Sequence, residues 1–410
     1  MTYTARDPRA PFTLTPLALP LDRRTRGYDL PLVAIALALS LIGAVLVWAA
    51  TRDQQALNGG DPQSFLYRHL FNMLIAFTLM LAASRLDARL LRLFGPIVYL
   101  ASIAGLLLVL LVGVTINGAR AWILLPGGFQ LQPSEFCKLG LVVGMAVLFT
   151  QHADDQNDEI APRSRDVLYA VGLLAVPFGL IMLQPDLGSA MVLGCAGFGV
   201  LVTANVPARY TLGLLGVGIL TAVVAVKVGI LAHYQLARFT SFTNPTADIQ
   251  GAAYNVHQAH IAIANGGLFG TGLFHGPQTN GGFVPEQQTD FVYSVAGEEF
   301  GLVGAGLIIV LFALLCWRGV RIARNADAAG RLVAVGVVIW FAFQAFQNIG
   351  MNLGLTPVTG VPLPFVSYGG SSMFAQGLAL GLLQAVHRRS TLNLALLRRR
   401  REPIRPRVHR

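Results

Sequence analysis

The sequence predicts an all-α integral membrane protein of about ten transmembrane helices, and three observations carry that prediction. Of its 410 residues, 54% are hydrophobic and 12% are charged, whereas soluble domains carry roughly 25% charged residues. The mean hydropathy is +0.60, and apolar runs of membrane-crossing length, about 17–25 residues, recur along nearly the whole chain. Arginines also gather in alternate loops, as the positive-inside rule requires. No polar stretch is long enough and apolar enough to form a soluble domain with its own core.

Residues 1–28 are polar, and "RRTRGYD" leads straight into a full-length apolar run, so the start does not read as a cleavable signal. Spans follow near 29–50, 69–86, 94–116, 135–151, 167–183, 189–206, 210–232, 291–317, 331–353 and 372–387. Cytoplasmic loops then hold Arg85, Arg89 and Arg92, next Arg163 and Arg165, next Arg209, and next Arg318, Arg321, Arg324 and Arg331. The tail "RRRREPIRPRVHR" lies on the same side, so both termini are expected in the cytoplasm. Outer loops hold Arg52, Arg68, Arg120 and Arg238, and 354–371 carries no charge. The expected organisation is a cytoplasmic tail over 1–28, a polytopic membrane domain over 29–390 and a basic cytoplasmic tail over 391–410. One extracytoplasmic segment between spans 7 and 8, about 233–290, is far longer than the others. Its anchors ("YNVHQAHIAIANGGLFGTGLF") read as structured backbone at the membrane surface.

The formal net charge of +10 is accounted for by the inner loops and the tail, so nucleic acid is not an expected partner. A juxtamembrane polybasic tail instead fits anionic membrane lipids. Cys137, Cys195 and Cys316 sit in or beside apolar spans at unrelated spacings, which implies neither a disulfide framework nor a metal site. There is no paired histidine or cysteine cluster for zinc, no phosphate-binding Walker loop and no Gly-x-Ser-x-Gly nucleophile.

The topology collects the polar motifs on the outer side. In "NGARAWILLPGGFQLQPSEFCK", Pro133, Ser134 and Glu135 read as a helix start with an acid in its first turn. Glu135 and Lys138 are three apart and share a helix face, which suits either a capping acid with a snorkelling lysine or a working pair. In "QPDLGS", Asp186 reads as an N-cap or a site residue. Asp248 sits in Asn-Pro turn chemistry, while Arg238 is the only Lys or Arg of the long outer loop. In "GGFVPEQQTDFVYSVAGEEFG", Asp290 stands at the lip of an apolar segment, with Glu298 and Glu299 about two turns further in. Charges at a membrane rim are costly, pair with one another and mark sites. A rim carboxylate can act as a general base on a hydroxyl, with nearby cations stabilising a departing anion. On the residues alone, transfer from a lipid-linked phosphate donor and transport both stand.

These motifs carry a resemblance. "GARAWI", "FQLQPSEFCKL", "QPDLGSA", "AYNVHQAHIAIANGGLFGTGL", "PEQQTDFVYSVAGEEFGLVG" and "PVTGVPLPFVSYGGSS" occur in the order found in the SEDS family (shape, elongation, division and sporulation). With the spans they cover about 29–390. The resemblance implies a bacterial cell-membrane glycosyltransferase that polymerises lipid II, the disaccharide-pentapeptide carried on undecaprenyl pyrophosphate. It implies Asp290 as the catalytic base, within a motif whose usual histidine is Gln288 here. It also implies a central cavity with Glu135, Lys138 and Asp186, to which the matched segments add Gln258, Glu286, Thr289, Glu298 and Ser367. Val358-Thr359-Gly360 before "VPLPF" resembles the elongation (RodA-like) branch rather than the division (FtsW-like) branch.

The expected mechanism is a single inverting transfer. Arg120, Arg238 or Lys138 is expected to meet the departing pyrophosphate, with a divalent cation, Mg²⁺ or Mn²⁺, as an accompaniment that no ligand cluster demands. Glu298 and Glu299 are adjacent and cannot share a face, so one is expected at the cavity and one against a neighbouring helix. The expected partner is a class B penicillin-binding protein transpeptidase, since no transpeptidase serine motif is present. The rivals are a lipid II flippase, which would need polar residues through both leaflets where the inner halves of the spans are nearly uncharged, and a recruiting scaffold.

Overall fold

The computed structural model describes residues 27–401, apart from 117, 126–128, 152–159, 161, 229–241 and 243–252. Arg238 and Asp248 lie outside the described residues.

Each apolar run coincides with a helix. In chain order these are α1 (Leu30–Leu57), α2 (Ser64–Ala83), α3 (Ala88–Val112), α4 (Pro133–Thr150), α5 (Ser164–Leu183), α6 (Leu187–Thr203) and α7 (Ala208–Val228). Two shorter helices, α8 (Tyr254–Gly266) and α9 (Pro277–Gly281), fill part of the long outer segment. Then come α10 (Val292–Arg324), α11 (Ala328–Asn352) and α12 (Gly370–Arg401). Among the described residues, seven helices are long and apolar enough to cross a membrane: α1 to α5, α10 and α11. The chain is a multi-pass membrane protein.

Burial sorts the helices into a centre and a periphery. The apolar window of α4 is 78% buried, whereas that of α2 is 22% buried. Leu70, Leu74 and Leu81 on α2, and Leu212, Leu215 and Ile219 on α7, are exposed, as lipid-facing side chains should be, since lipid tails are as apolar as they are. The central helix α4 packs on α3, α6 and α11, while α12 runs along α2 and α11 lies against α10. The predicted start of α4 is found, with Pro133 in the first turn and Glu135 in the first-turn acidic position.

Two features depart from the expected all-α bundle. The segment before α4 folds into a small antiparallel sheet, β1 (Val114–Ile116), β2 (Ala119–Leu124) and β3 (Gln130–Leu131), with Val114 opposite Trp122 and Ile123 opposite Leu131. β-Branched and aromatic residues there favour strands, and Gly118 at φ +85° makes the turn. The second departure is in α10, where the run at 291–317 is not one straight helix. Gly301 has φ +65° and breaks it into a buried arm, 292–300, and a longer arm beyond. Only glycine enters that conformation cheaply, and a Cβ there would lie 2.4 Å from the Gly270 nitrogen. The break lets main-chain donors of the following arm, Leu302 and Val303, bond to the carbonyls of Gly267 and Leu268.

At the opposite end from the sheet, Asp29 caps α1 by accepting from the Leu32 N–H at 3.0 Å. Its carboxylate pairs with Arg318 at 2.5 Å, and Gln384 donates to the Asp29 carbonyl at 3.0 Å while accepting its N–H at 2.8 Å. This knot ties the start of α1 to the far ends of α10 and α12.

Candidate active site

The N-terminal ends of α2 and α6, the sheet, the turn at 286–290 and the loop at 357–372 enclose a cavity of about 490 Å³. That is within the range of small-molecule sites. Its charged lining, among the described residues, is Arg68, Asp186, Glu286 and Asp290. Three acidic residues and one arginine thus line the same cavity, together with the aromatic residues Phe65, Phe71, Trp122, Phe129 and Tyr368.

Asp186 is the N-cap that the sequence allowed, and it also lines the cavity. One carboxylate oxygen caps α6 by accepting from Ser189 N–H at 3.0 Å, and the other accepts from Gln132 Nε2 at 3.0 Å. Glu286 heads a tight turn at φ +54°, a left-handed conformation uncommon for any residue but glycine. Its carbonyl accepts from the N–H groups of Thr289, Asp290 and Phe291, and its carboxylate accepts from Thr289 Oγ1 at 3.1 Å.

The turn bearing Asp290 is held at three successive carbonyls. Tyr368 N–H donates to Gln288 O at 2.9 Å. Ser367 Oγ donates to Thr289 O at 2.5 Å. Asn348 Nδ2 and Asn352 Nδ2 both donate to Asp290 O, at 2.9 and 3.0 Å. Gln287, just before, donates to the Ala50 carbonyl of α1 at 2.5 Å.

Glu135 and Lys138 form a buried ion pair, Nζ to Oε1 2.7 Å, with both side chains at most 1% exposed. The ammonium also donates to Gln344 Oε1 at 3.3 Å and lies 4.9 Å from the Trp340 ring centroid. The pair is not part of the cavity lining. It sits in α4 just past Gln132, which does line it, and joins α4 to α11.

Several expected cavity residues are placed elsewhere. Arg120 is turned back, and its guanidinium donates to the carbonyls of Gly113 and Leu111 at 2.9 Å each, closing the end of α3. Glu298 is buried away from the cavity and caps α9, accepting from Gln278 N–H, Thr279 N–H and Thr279 Oγ1 at 2.7–2.9 Å. Glu299 accepts from Phe274 N–H at 3.2 Å. The expectation that one of the two acids meets the cavity is therefore corrected: both carboxylates are bonded within the segment that follows α8, to Phe274 and to Gln278 and Thr279. Gln258 on α8 lies outside the lining, and Ser367 stands behind the turn as its clamp. The sequence reading passed over Arg68 as a loop charge. It also missed the amide row on α11. Gln344, Asn348 and Asn352, four residues apart in an apolar span, were a readable sign, because buried amides are costly unless bonded.

The cavity residues do not form a cage for a metal ion. Among the described residues no group of three potential ligands converges, and both Asp186 oxygens already accept bonds within the protein.

A family model described as "Cell cycle protein", covering FtsW, RodA and SpoVE, matches residues 30–392. A protein named "Probable peptidoglycan glycosyltransferase FtsW" from Trichlorobacter lovleyi is 36% identical over 363 residues, 88% of this chain and 93% of that one. A solved chain described as "Structural coordination of polymerization and crosslinking by a peptidoglycan synthase complex" superposes with a TM-score of 0.72 at 32% identity, covering 89% of this chain and 98% of that one. The crystal structure of the Thermus thermophilus rod shape determining protein RodA matches with a TM-score of 0.64 at 31% identity, over 88% of this chain and 97% of that one. The ordered motifs, the helical bundle and these matches agree, and the chain belongs to the FtsW/RodA/SpoVE family, the SEDS proteins.

Proposed function

We propose that this protein is a peptidoglycan glycosyltransferase that polymerises lipid II into β-1,4-linked glycan at the outer face of the bacterial cell membrane, with Asp290 as general base. The observation that carries the reading is a carboxylate-lined cavity at one end of the bundle, with Asp290 on a turn clamped at three consecutive carbonyls. It is supported by the similarity to a protein named as such a glycosyltransferase. Ten of the helices, α1 to α7 and α10 to α12, cross the membrane in this reading, with residues 1–28 and 391–410 in the cytoplasm and the 233–290 segment outside.

In the reaction, Asp290 takes the proton from the 4-hydroxyl of the acceptor's terminal GlcNAc. That oxygen forms a bond to the anomeric carbon of the donor's MurNAc while the bond to the pyrophosphate oxygen breaks. The electron pair leaves with undecaprenyl pyrophosphate. The donor is α-linked and the product β-linked, so one inversion needs one base and no covalent enzyme intermediate. Arg68 is the lining cation that meets the developing anion, the role first expected of Arg120, Arg238 or Lys138. No group of three acidic, histidine or cysteine ligands converges among the described residues, so a Mg²⁺ or Mn²⁺ accompanying the reaction would take ligands from the pyrophosphate and would help to stabilise its charge. A class B penicillin-binding protein is the partner, in keeping with the solved neighbour described as part of a complex that polymerises and cross-links.

The elongation role rests on the Val358-Thr359-Gly360 turn. Rescue of shape, rather than of septation, in cells depleted of one or the other native protein tests that role.

The test of the mechanism is Asp290→Asn, which keeps size and hydrogen bonding but cannot take the proton. Purified with its partner, it should melt and bind lipid II as the wild type does while polymerising about 10²–10⁴-fold more slowly. Wild-type-like synthesis removes Asp290 as the base. Lipid movement across the bilayer without glycan formation, by the wild-type protein, would favour the flippase instead.

A further inference from the structure

The row Gln344, Asn348 and Asn352 on α11 does more than satisfy itself. All three side chains are 0% exposed, and residues four apart lie on one helix face. Gln344 accepts from Trp340 Nε1 at 2.6 Å and from Lys138, and donates to the Pro362 carbonyl at 2.8 Å. Asn348 donates to Val361 O at 2.8 Å and to Asp290 O. Asn352 donates to Asn348 O at 2.9 Å and to Asp290 O, and accepts from Ser294 N–H at 3.1 Å. One row of amides thus touches the Glu135–Lys138 pair at one end, the cavity loop in the middle and the main chain of Asp290 at the other.

A carbonyl oxygen has two acceptor sites, and at Asp290 two amides from one rigid helix use them. The peptide plane after Asp290 is therefore set by α11, not by the loop's own preferences. With the bonds to Gln288 O and Thr289 O, it holds the backbone from which the Asp290 side chain projects. The same bonds satisfy carbonyls that burial would otherwise leave unpaired, so they also contribute to folding; what marks these two asparagines is that both converge on the main chain of the residue read as the base.

We propose that Asn348 and Asn352 are positioning residues for the transfer reaction. They act through the Asp290 carbonyl to hold its carboxylate at the cavity, and Gln344 extends the same register to Lys138. This inference rests on the reading of Asp290 as the base. Misplacing a reacting group by about 1 Å can cost 10²-fold, which sets the scale of the expected effect.

The experiment is a four-member cycle: wild type, Asn348→Leu, Asp290→Asn and the double variant, each purified with the partner protein and given lipid II. Asn348→Leu should lower the maximal polymerisation rate by about 10- to 100-fold, with the half-saturating lipid II concentration changed less than about twofold. In the Asp290→Asn background the same substitution should change nothing further, because it acts only through the base. Equal, multiplying losses in both backgrounds would overturn the proposal and return Asn348 to a folding role, as would a loss confined to half-saturation. Wild-type-like activity of Asp290→Asn would instead sink the reading of the base, and the positioning role with it. Asn352→Leu, which removes the second donor to the same oxygen, covers the case in which Asn348→Leu does not fold. It should show the same rate loss and the same non-additivity, and wild-type rates from it would also overturn the proposal.

Discussion

Lys138→Met is the sharpest probe of what holds the bundle together beneath the cavity. The Lys138 ammonium is 0% exposed and is bonded at 2.7 Å to a carboxylate that is 1% exposed. Glu135 Oε2 has no hydrogen-bond partner among the described residues, so removing the ammonium leaves a buried carboxylate with neither cation nor donor. Breaking one side of a buried pair costs about 3–5 kcal/mol. Losing the contact with the Trp340 ring adds about 0.5–2 kcal/mol. Gln344 is partly spared, because Trp340 Nε1 still donates to it. Equilibrium unfolding in lipid bicelles, read by a conformational probe, should therefore show Lys138→Met less stable by about 3.5–7 kcal/mol. The double variant Glu135→Leu/Lys138→Met removes both charges and should recover most of that loss, since replacing both partners by apolar groups is often neutral or better. Its polymerisation should stay low even so, because Nζ also anchors the amide row that reaches Asp290. A single-variant loss below about 1 kcal/mol would refute the argument from burial. Near-normal synthesis by the double variant would make the pair purely structural.

Two further outcomes are expected. Gly301→Ala should destabilise by more than the roughly 1–2 kcal/mol of a left-handed non-glycine residue, because its Cβ also meets the Gly270 nitrogen; unfolding measurements that put it within 0.5 kcal/mol of wild type, the usual range for an inconsequential change, would contradict the kink. For orientation, Asn58→Cys in a cysteine-free background should label with an impermeant thiol reagent added outside intact spheroplasts. Asn58 is exposed at the end of α1, whereas Gly282 is a poor choice because of its φ of +63° and the contact a Cβ there would make with Gln54. Labelling only after permeabilisation would invert the topology.

The sequence by itself determined the membrane class, the helix positions and the family. Hydropathy and loop charge depend only on local composition, and a helix satisfies its own backbone bonds within a single segment. It also singled out Asp186, Glu286, Thr289 and Asp290, because a polar residue in ordered motifs at a membrane rim stands out against an apolar background. It could not tell which of the other charged residues face the cavity. Arg120 and Arg68 look alike as outer-loop arginines, yet one closes the end of α3 and the other lines the cavity. Glu298 reads as a cavity acid, yet its carboxylate caps α9. Such choices rest on contacts between segments far apart in the chain: Ser367 to Thr289, Asn348 to Asp290, Lys138 to Gln344. Only the tertiary structure decided them, because the energy of a buried polar group is set by the partner it meets, and that partner lies beyond the reach of local spacing.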